Sequence, residues 1–280
     1  MTPSKTETTF VTIPRGARRM FGVKDLVTSL NALGGVWALC CCIDGDRARA
    51  AYAVMLGYAA DMFDGKVARA LGEANRFGAE FDTAADFVTQ ALAPAFILYL
   101  AYRDAGAPLG LGSAGGRALG LALAAALVLA ACARYARRNV RRVDVDFAWI
   151  GLPQTAASFV VLGFVQSHLV ARWPFCLWAG VVLVPALAWL ELSDLPFKHH
   201  RGLRPNFPFV RLAIAAFIVT TAAALILDRH AGWDLLCFWN LGYVCTSWLA
   251  MTGEERRLAR TRVAEANARL RAEEMARAAR

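Results

Sequence analysis

Eight long apolar runs set the terms for this chain. They cover Leu26–Ile43, Ala48–Met62, Ala84–Tyr102, Ala118–Ala133, Phe147–Val170, Phe175–Leu192, Pro208–Leu227 and Trp233–Met251. A helix of about 20 apolar residues crosses the hydrocarbon core of a bilayer, and it satisfies its own backbone where no water can. The expected fold is therefore all-α, a polytopic membrane helix bundle of about eight transmembrane helices. Composition agrees: 58% of the residues are hydrophobic, above the roughly 45–50% typical of soluble domains. The second run is short and ends in acids, so its boundary is the least sharp.

Charge fixes the expected orientation. With the N-terminus in the cytoplasm, 25 of the 31 lysines and arginines fall on the inner side. Only Arg47, Arg49, Arg103, Arg117, Arg172 and Arg229 remain outside, so eight spans with both termini cytoplasmic satisfy the positive-inside rule at every loop. One span more or fewer would invert the later loops. Three parts follow: a basic N-terminal segment over 1–25, a transmembrane domain over 26–251 and a charged C-terminal helix over 252–280. No cleavable signal peptide is evident, because the first apolar run follows a polar and basic stretch and reads as a retained span.

The net charge of +9 does not point to nucleic acid, since the basic residues cluster between apolar runs and not on one periodic face. They read as topology determinants and as sites for acidic lipid headgroups. The tail should be a solvated helix opened by a capping box at Thr252 and Glu255, with a surface of anionic lipid as its alternative partner. Arg15–Lys24 is a similar interfacial stretch. Ser113–Gly116, with its neighbouring glycines, reads as an outer loop. Seven cysteines lie almost wholly within apolar runs and include no metal-type CxxC pair, so they read as packing residues. His168 and His230 read as solvated residues of outer loops, and His199 and His200 as part of a basic inner loop.

The chemistry concentrates in Asp61-Met-Phe-Asp64-Gly65-Lys-Val-Ala68-Arg69, followed after eight residues by Gly78 and then by Asp82 and Asp86. Ionisable residues at membrane depth are costly and mark function. Asp61 and Asp64 are spaced i, i+3, and Asp82 and Asp86 i, i+4, so each pair shares a helix face. Two helices joined by a Lys66–Phe81 connection can bring all four carboxylates to one point. Four such charges need counter-charge, and all-oxygen ligands suit Mg²⁺, Mn²⁺ or Ca²⁺. Gly65 and Gly78 leave room for a substrate to approach the backbone, and Arg69 offers a fork to a phosphate. Intramembrane acids also line ion pathways in transporters, an alternative that the lack of a second copy of the motif disfavours.

This pattern, D-x2-D-G-x2-A-R-x8-G-x3-D-x3-D, resembles the signature of the CDP-alcohol phosphotransferases and matches it at every fixed position. The resemblance covers residues 61–86. It implies a helical membrane enzyme that transfers a substituted phosphate from a CDP-activated donor to an alcohol and releases CMP. It further implies that Asp61, Asp64 and Asp82 bind metal, as two Mg²⁺ or Mn²⁺ ions, that Asp86 binds metal or acts as the base, and that Gly65, Ala68, Arg69 and Gly78 contact the cytidine diphosphate. A homodimer in the inner membrane, with its site facing the cytoplasm, is also implied.

Further stretches resemble the phosphatidylserine synthase branch of that family. Thr28-Ser-Leu-Asn31, followed by Gly34 and Gly35, is similar to a T-x2-N opening near the nucleotide. Arg134-Tyr-Ala-Arg137-Arg138-Asn139 is similar to R-L-A-R-F-N, and Gly151-Leu-Pro153-Gln154-Thr155-Ala-Ala to G-L-P-x-P-A-A, with Thr155 in place of a proline. Leu192–Lys198 resembles the branch more loosely. The resemblance implies CDP-diacylglycerol as donor and serine as acceptor, with Arg134, Arg137 and Asn139 as acceptor ligands. Glycerol phosphate, inositol phosphate and choline stay open as acceptors, because an arginine cluster serves a phosphorylated acceptor equally well.

Overall fold

The computed structural model describes residues 22–71, 76–141, 143, 145–198 and 208–278; within these, the side chains of residues 23, 24, 64–71, 76, 208–214 and 229 lie outside the description. Eleven α-helices and one two-stranded ribbon make up the described chain. Helices α1 (Val23–Ile43) and α2 (Arg47–Leu71) pack side by side along their length. Helix α3 (Arg76–Asp86) runs without a break through a π-helical turn (Phe87–Leu92) into α4 (Ala93–Asp104), which lies along α5 (Gly112–Val140). After strand β1 (Ala148–Ile150) come α6 (Gln154–Gln166), the short α7 (His168–Arg172), a 3₁₀ turn (Pro174–Ala179) and α8 (Gly180–Leu192). Strand β2 (Pro196–Lys198), α9 (Pro208–Leu227), α10 (Arg229–Thr246) and α11 (Gly253–Ala278) complete the chain.

The protein is an all-α membrane bundle. Among the described residues five helical stretches are long and apolar enough to cross a bilayer: Asp25–Ile43, Phe77–Asp104, Gly112–Val140, Gln154–Arg172 and Pro174–Leu192. The other three expected segments fall on α2, α9 and α10. Helix α6 is buried on all sides from Ala156 to Gln166, as expected of a helix at the centre of a bundle. Its Val160, Val161 and Leu162 meet Ile97, Leu98 and Tyr102 of α4, Leu187 of α8 and Trp233 of α10 in one continuous core. The outer helices do the reverse. Helix α1 turns Leu26, Leu30, Leu33 and Trp37 outward, a stripe at helical spacing that water would not tolerate but acyl chains do.

Four local expectations are corrected. Ser113–Gly116 is the first turn of α5 and not a loop. Its glycines serve helix packing: a Cβ on Gly116 would lie 2.6 Å from the Gly106 Cα, so the α4–α5 corner closes backbone to backbone. The expected Lys66–Phe81 connection is helical at both ends among the described residues, because α2 continues to Leu71 and α3 already begins at Arg76. The run Phe147–Val170 is not one helix. It opens as strand β1, paired antiparallel with β2 through Ala148–Lys198, Trp149–Phe197 and Ile150–Pro196, and turns into α6 at Gly151, whose φ of +78° favours a residue without Cβ. His168 and His230 sit on helices α7 and α10, where His168 Nδ1 lies 2.8 Å from Asp234 and the two rings are 5.1 Å apart.

The tail helix forms as expected, with Thr252 and Glu255 exchanging the two capping hydrogen bonds at 2.9 and 3.2 Å. It is anchored as well as solvated. Glu255 pairs with Lys198 of β2, Asn267 accepts from Arg141 at 2.7 Å, and Ala259 and Val263 are buried. The segment Arg15–Lys24 lies outside the described residues up to residue 21, as do His199 and His200.

Candidate metal centre and its surroundings

Asp61 on α2 and Asp82 and Asp86 on α3 bring one carboxylate oxygen each within 4.8 Å of one another. The convergence depends on how closely three elements approach. A Cβ on Gly34 of α1 would stand 2.6 Å from the Gly57 Cα of α2, and one on Gly35 would stand 3.0 Å from the Thr89 Cα in the π-helical turn. These glycines replace side-chain packing with backbone contact, so α2 is drawn against α1 one helical turn before Asp61. The π-helical turn begins immediately after Asp86; such turns re-aim side chains within otherwise regular helices and concentrate at functional sites.

Asp86 is held by two amides. Asn31 Nδ2 of α1 donates to its Oδ1 at 2.9 Å, and Gln90 Nε2, one turn on, donates to the same oxygen at 2.8 Å. Asn31 is itself fixed through its backbone carbonyl, which accepts from Thr89 Oγ1 at 2.8 Å. The network continues from Gln90 Oε1 to the hydroxyl of Thr155 at the start of α6. Thr28 and Asn31 are fully buried on α1. Gly78 is buried on α3. Asp64, Gly65, Ala68 and Arg69 lie on the described backbone of α2, but their side chains fall outside the described residues. The donor set is oxygen only and strongly anionic. Carboxylates this close repel unless a cation stands between them, and hard divalent ions match such oxygens. The residues present therefore fit Mg²⁺ or Mn²⁺.

The basic cluster at the end of α5 is organised differently from its expected use. Arg137 donates to the carbonyls of Ile150, Glu191, Leu192 and Ser193, and Arg134 Nη1 donates to the Glu191 carbonyl at 3.2 Å. The two guanidiniums thus satisfy the carbonyls that the C-terminus of α8 leaves open. Gly151 makes room for them, since a Cβ there would lie 2.7 Å from Arg137 Nη2. Asn139 is exposed near the end of α5. Arg141 pairs with Asp194, and that hydrogen bond holds the Asp194 carboxyl below the usual carboxylate range against the opposing pull of burial.

Several residues around the site carry no signal at the level of sequence motifs: Gly57, Thr89, Gln90, Gln154, Ser158 and Glu191. Two were accessible by helical spacing, because Gln90 lies four residues after Asp86 and Gly57 four before Asp61, on the same faces. Glu191 is reached only through tertiary structure.

A sequence profile described as CDP-alcohol phosphatidyltransferase matches residues 22–194, a stretch that holds α1 to α8 and every carboxylate of the cluster. Among curated proteins, the chain is 27% identical to the CDP-diacylglycerol–serine O-phosphatidyltransferase of Methanocaldococcus jannaschii, over 76% of this chain and 88% of that protein. It is 25% identical to the protein of the same name from Mycobacterium bovis, over 83% of this chain and 79% of that protein. It is 33% identical to that from Helicobacter pylori strain J99, over 61% and 66%.

Proposed function

Because the chain belongs to the CDP-alcohol phosphatidyltransferase family, we propose that it transfers the phosphatidyl group of CDP-diacylglycerol to the hydroxyl of L-serine, forming phosphatidylserine and releasing CMP. The chain is a membrane enzyme of phospholipid synthesis, so the ion-pathway alternative falls away. The observation that carries the reading is the convergence of Asp61, Asp82 and Asp86 within 4.8 Å. Serine as the acceptor is supported by the names of the relatives.

In this reading Asp61, Asp64, Asp82 and Asp86 hold one or two divalent ions, Mg²⁺ or Mn²⁺. When bound, the ions neutralise the diphosphate and polarise the attacked phosphorus. Gly65, Ala68, Arg69 and Gly78 receive the cytidine diphosphate, with Thr28 and Asn31 beneath it. Asp86 accepts the serine hydroxyl proton as the hydroxyl oxygen forms its bond to the phosphatidyl phosphorus. The bond from that phosphorus to the CMP oxygen breaks, and CMP leaves with the electron pair. Asn31 and Gln90 keep the Asp86 oxygen in place, so the base needs no reorientation at the moment of reaction. Arg134 and Arg137 shape the wall on which the acceptor rests, with Asn139 at its rim.

The rest of the reading concerns placement. Eight spans with both termini inside put the site on the cytoplasmic side of the inner membrane, in a homodimer, in keeping with the charge distribution. The test is CMP release by purified protein from CDP-diacylglycerol with Mg²⁺ or Mn²⁺, using serine, glycerol phosphate, inositol phosphate and choline in turn. Serine should give phosphatidylserine. Turnover with another of these acceptors and none with serine would refute the assignment.

A further inference from the structure

Beside the carboxylate cluster, one turn further along the helix from Asp86, lies a small chamber between the π-helical turn, α5, α6 and α8. Its polar lining is Gln90, Gln154, Ser158 and Glu191. Three of these present a buried polar atom without a hydrogen-bond partner: Glu191 Oε2, Ser158 Oγ and Gln154 Nε2. Glu191 is only 2% exposed and Ser158 4%. A buried carboxylate oxygen without a partner is expensive. Among the described residues no cation lies within 4.0 Å of the Glu191 carboxylate; Arg134 is close enough for its charge to act on it, but donates its hydrogen bond to the Glu191 backbone carbonyl. The chamber is also wired to the reaction: Gln90, which lines it, holds Asp86 on one side and Thr155 on the other.

We propose that this chamber seats the ammonium group of a small amino-alcohol acceptor, and that Glu191 recognises it. The inference rests on the transfer reaction above and adds the feature that selects its acceptor. An ammonium has three N–H donors. Glu191 Oε2 and Ser158 Oγ take two, and the Gln154 amide takes the third once turned to present its oxygen, an orientation set by hydrogen bonding and not by shape. The enclosed part of the chamber has room for a group about the size of a water. A primary ammonium fits and a trimethylammonium does not. With the ammonium seated there, the adjoining hydroxyl of the same small molecule lies toward Gln90 and Asp86.

The experiment compares acceptors that differ in one group, using the full chain in nanodiscs with CDP-diacylglycerol: L-serine, ethanolamine (no carboxylate), glycerate (no ammonium) and choline. Wild type should prefer L-serine and ethanolamine to glycerate and choline. Glu191→Gln should raise the KM for serine about ten- to a hundredfold, the scale of a lost charged hydrogen bond, and leave the KM for CDP-diacylglycerol within about twofold. Ser158→Ala, which removes an oxygen and little volume, should weaken the same preference and decides the matter if Glu191→Gln does not fold. An unchanged serine-to-glycerate ratio in the folded variants overturns the proposal, for then the chamber holds only water. The two readings fail separately. If serine is not used at all, the acceptor assignment falls, and the ammonium proposal is judged on the acceptor that does turn over: ethanolamine upholds it, whereas glycerate or glycerol phosphate overturns it.

Discussion

A single added methyl at Gly34 tests the geometry of the carboxylate cluster without touching a charge. In Gly34→Ala the new Cβ would stand 2.6 Å from the Gly57 Cα, 2.8 Å from the Gly57 nitrogen and 3.1 Å from the Ala53 carbonyl oxygen. All three neighbours are backbone, so no side chain can swing aside. Ordinary contact begins near 3.4 Å, which leaves α1 and α2 about 0.8 Å too close. The helices must part by that much, and Asp61, one turn beyond Gly57 on α2, moves with them away from Asp82 and Asp86. A misplacement near 1 Å costs about 10²-fold in rate, or roughly 2.7 kcal/mol, and overpacking should lower stability by about 1–3 kcal/mol. The assay is CMP release across a Mg²⁺ titration, with thermal unfolding in detergent recorded in parallel. Activity should fall about a hundredfold, and the Mg²⁺ needed for half-maximal rate should rise. Gly242→Ala is the control, because its Cβ meets nothing within 4 Å, and alanine in a helix is favoured over glycine by about 1 kcal/mol. Wild-type activity and Mg²⁺ dependence in Gly34→Ala would refute the claim that this glycine contact sets the carboxylate spacing.

Other outcomes follow from the same geometry. Asp61→Ala, Asp64→Ala and Asp82→Ala should each abolish CMP release, and chelator should silence the wild type until Mg²⁺ or Mn²⁺ is restored; full activity in excess chelator would remove the metal from the scheme. Asp86→Asn should lower kcat at least about 10²-fold with partial retention of nucleotide binding, and a donor chiral at phosphorus should react with inversion, whereas retention would mean a covalent intermediate. Asp194 is held below the usual carboxylate range by Arg141, so its contribution to stability is present above the unfolded pKa of about 3.9 and is lost as pH falls through the lower folded value. Asp194→Asn should therefore flatten the acid side of the Tm–pH curve below about pH 5, and an unchanged curve would discard this pair. Finally, Arg138→Cys, in a background lacking the seven native cysteines, should react with a membrane-impermeant thiol reagent only in inside-out vesicles; labelling from the other face would sink the eight-span topology.

The sequence and the structure agree where physics is local. Helices of apolar residues, the capping box at Thr252 and the spacing of Asp82 and Asp86 depend on near neighbours, and all were readable from residue patterns. Glycine was ambiguous, since the same residue marks a turn or a close helix contact. At Gly112–Gly116 the contact with Gly106 won and the expected loop became helix. The strand at Ala148–Ile150 was hidden inside an apolar run, because a three-residue strand and the start of a helix share composition. Its partner, β2, lies almost 50 residues away. The arginines at the end of α5 looked free to grip a ligand, and only the approach of the α8 C-terminus shows their donors on backbone carbonyls. Glu191 was legible in neither motif nor period, because its meaning comes from helices α5 and α6 around it.

The two halves of the site also differ in when they come into being. The clustered carboxylates and the amide of Asn31 all lie at or before residue 86, on helices that are synthesised before α8. The wall of the acceptor chamber waits for Glu191, 105 residues after Asp86. At roughly 5–20 residues per second, that gap is on the order of 5–20 s of translation. A nascent chain thus passes through a stage in which the carboxylate cluster can form while the Glu191 side of the chamber is still unwritten. At that stage Arg134 and Arg137 have no α8 carbonyls to hold, and these two charges remain available to lipid phosphates until the later helices claim them.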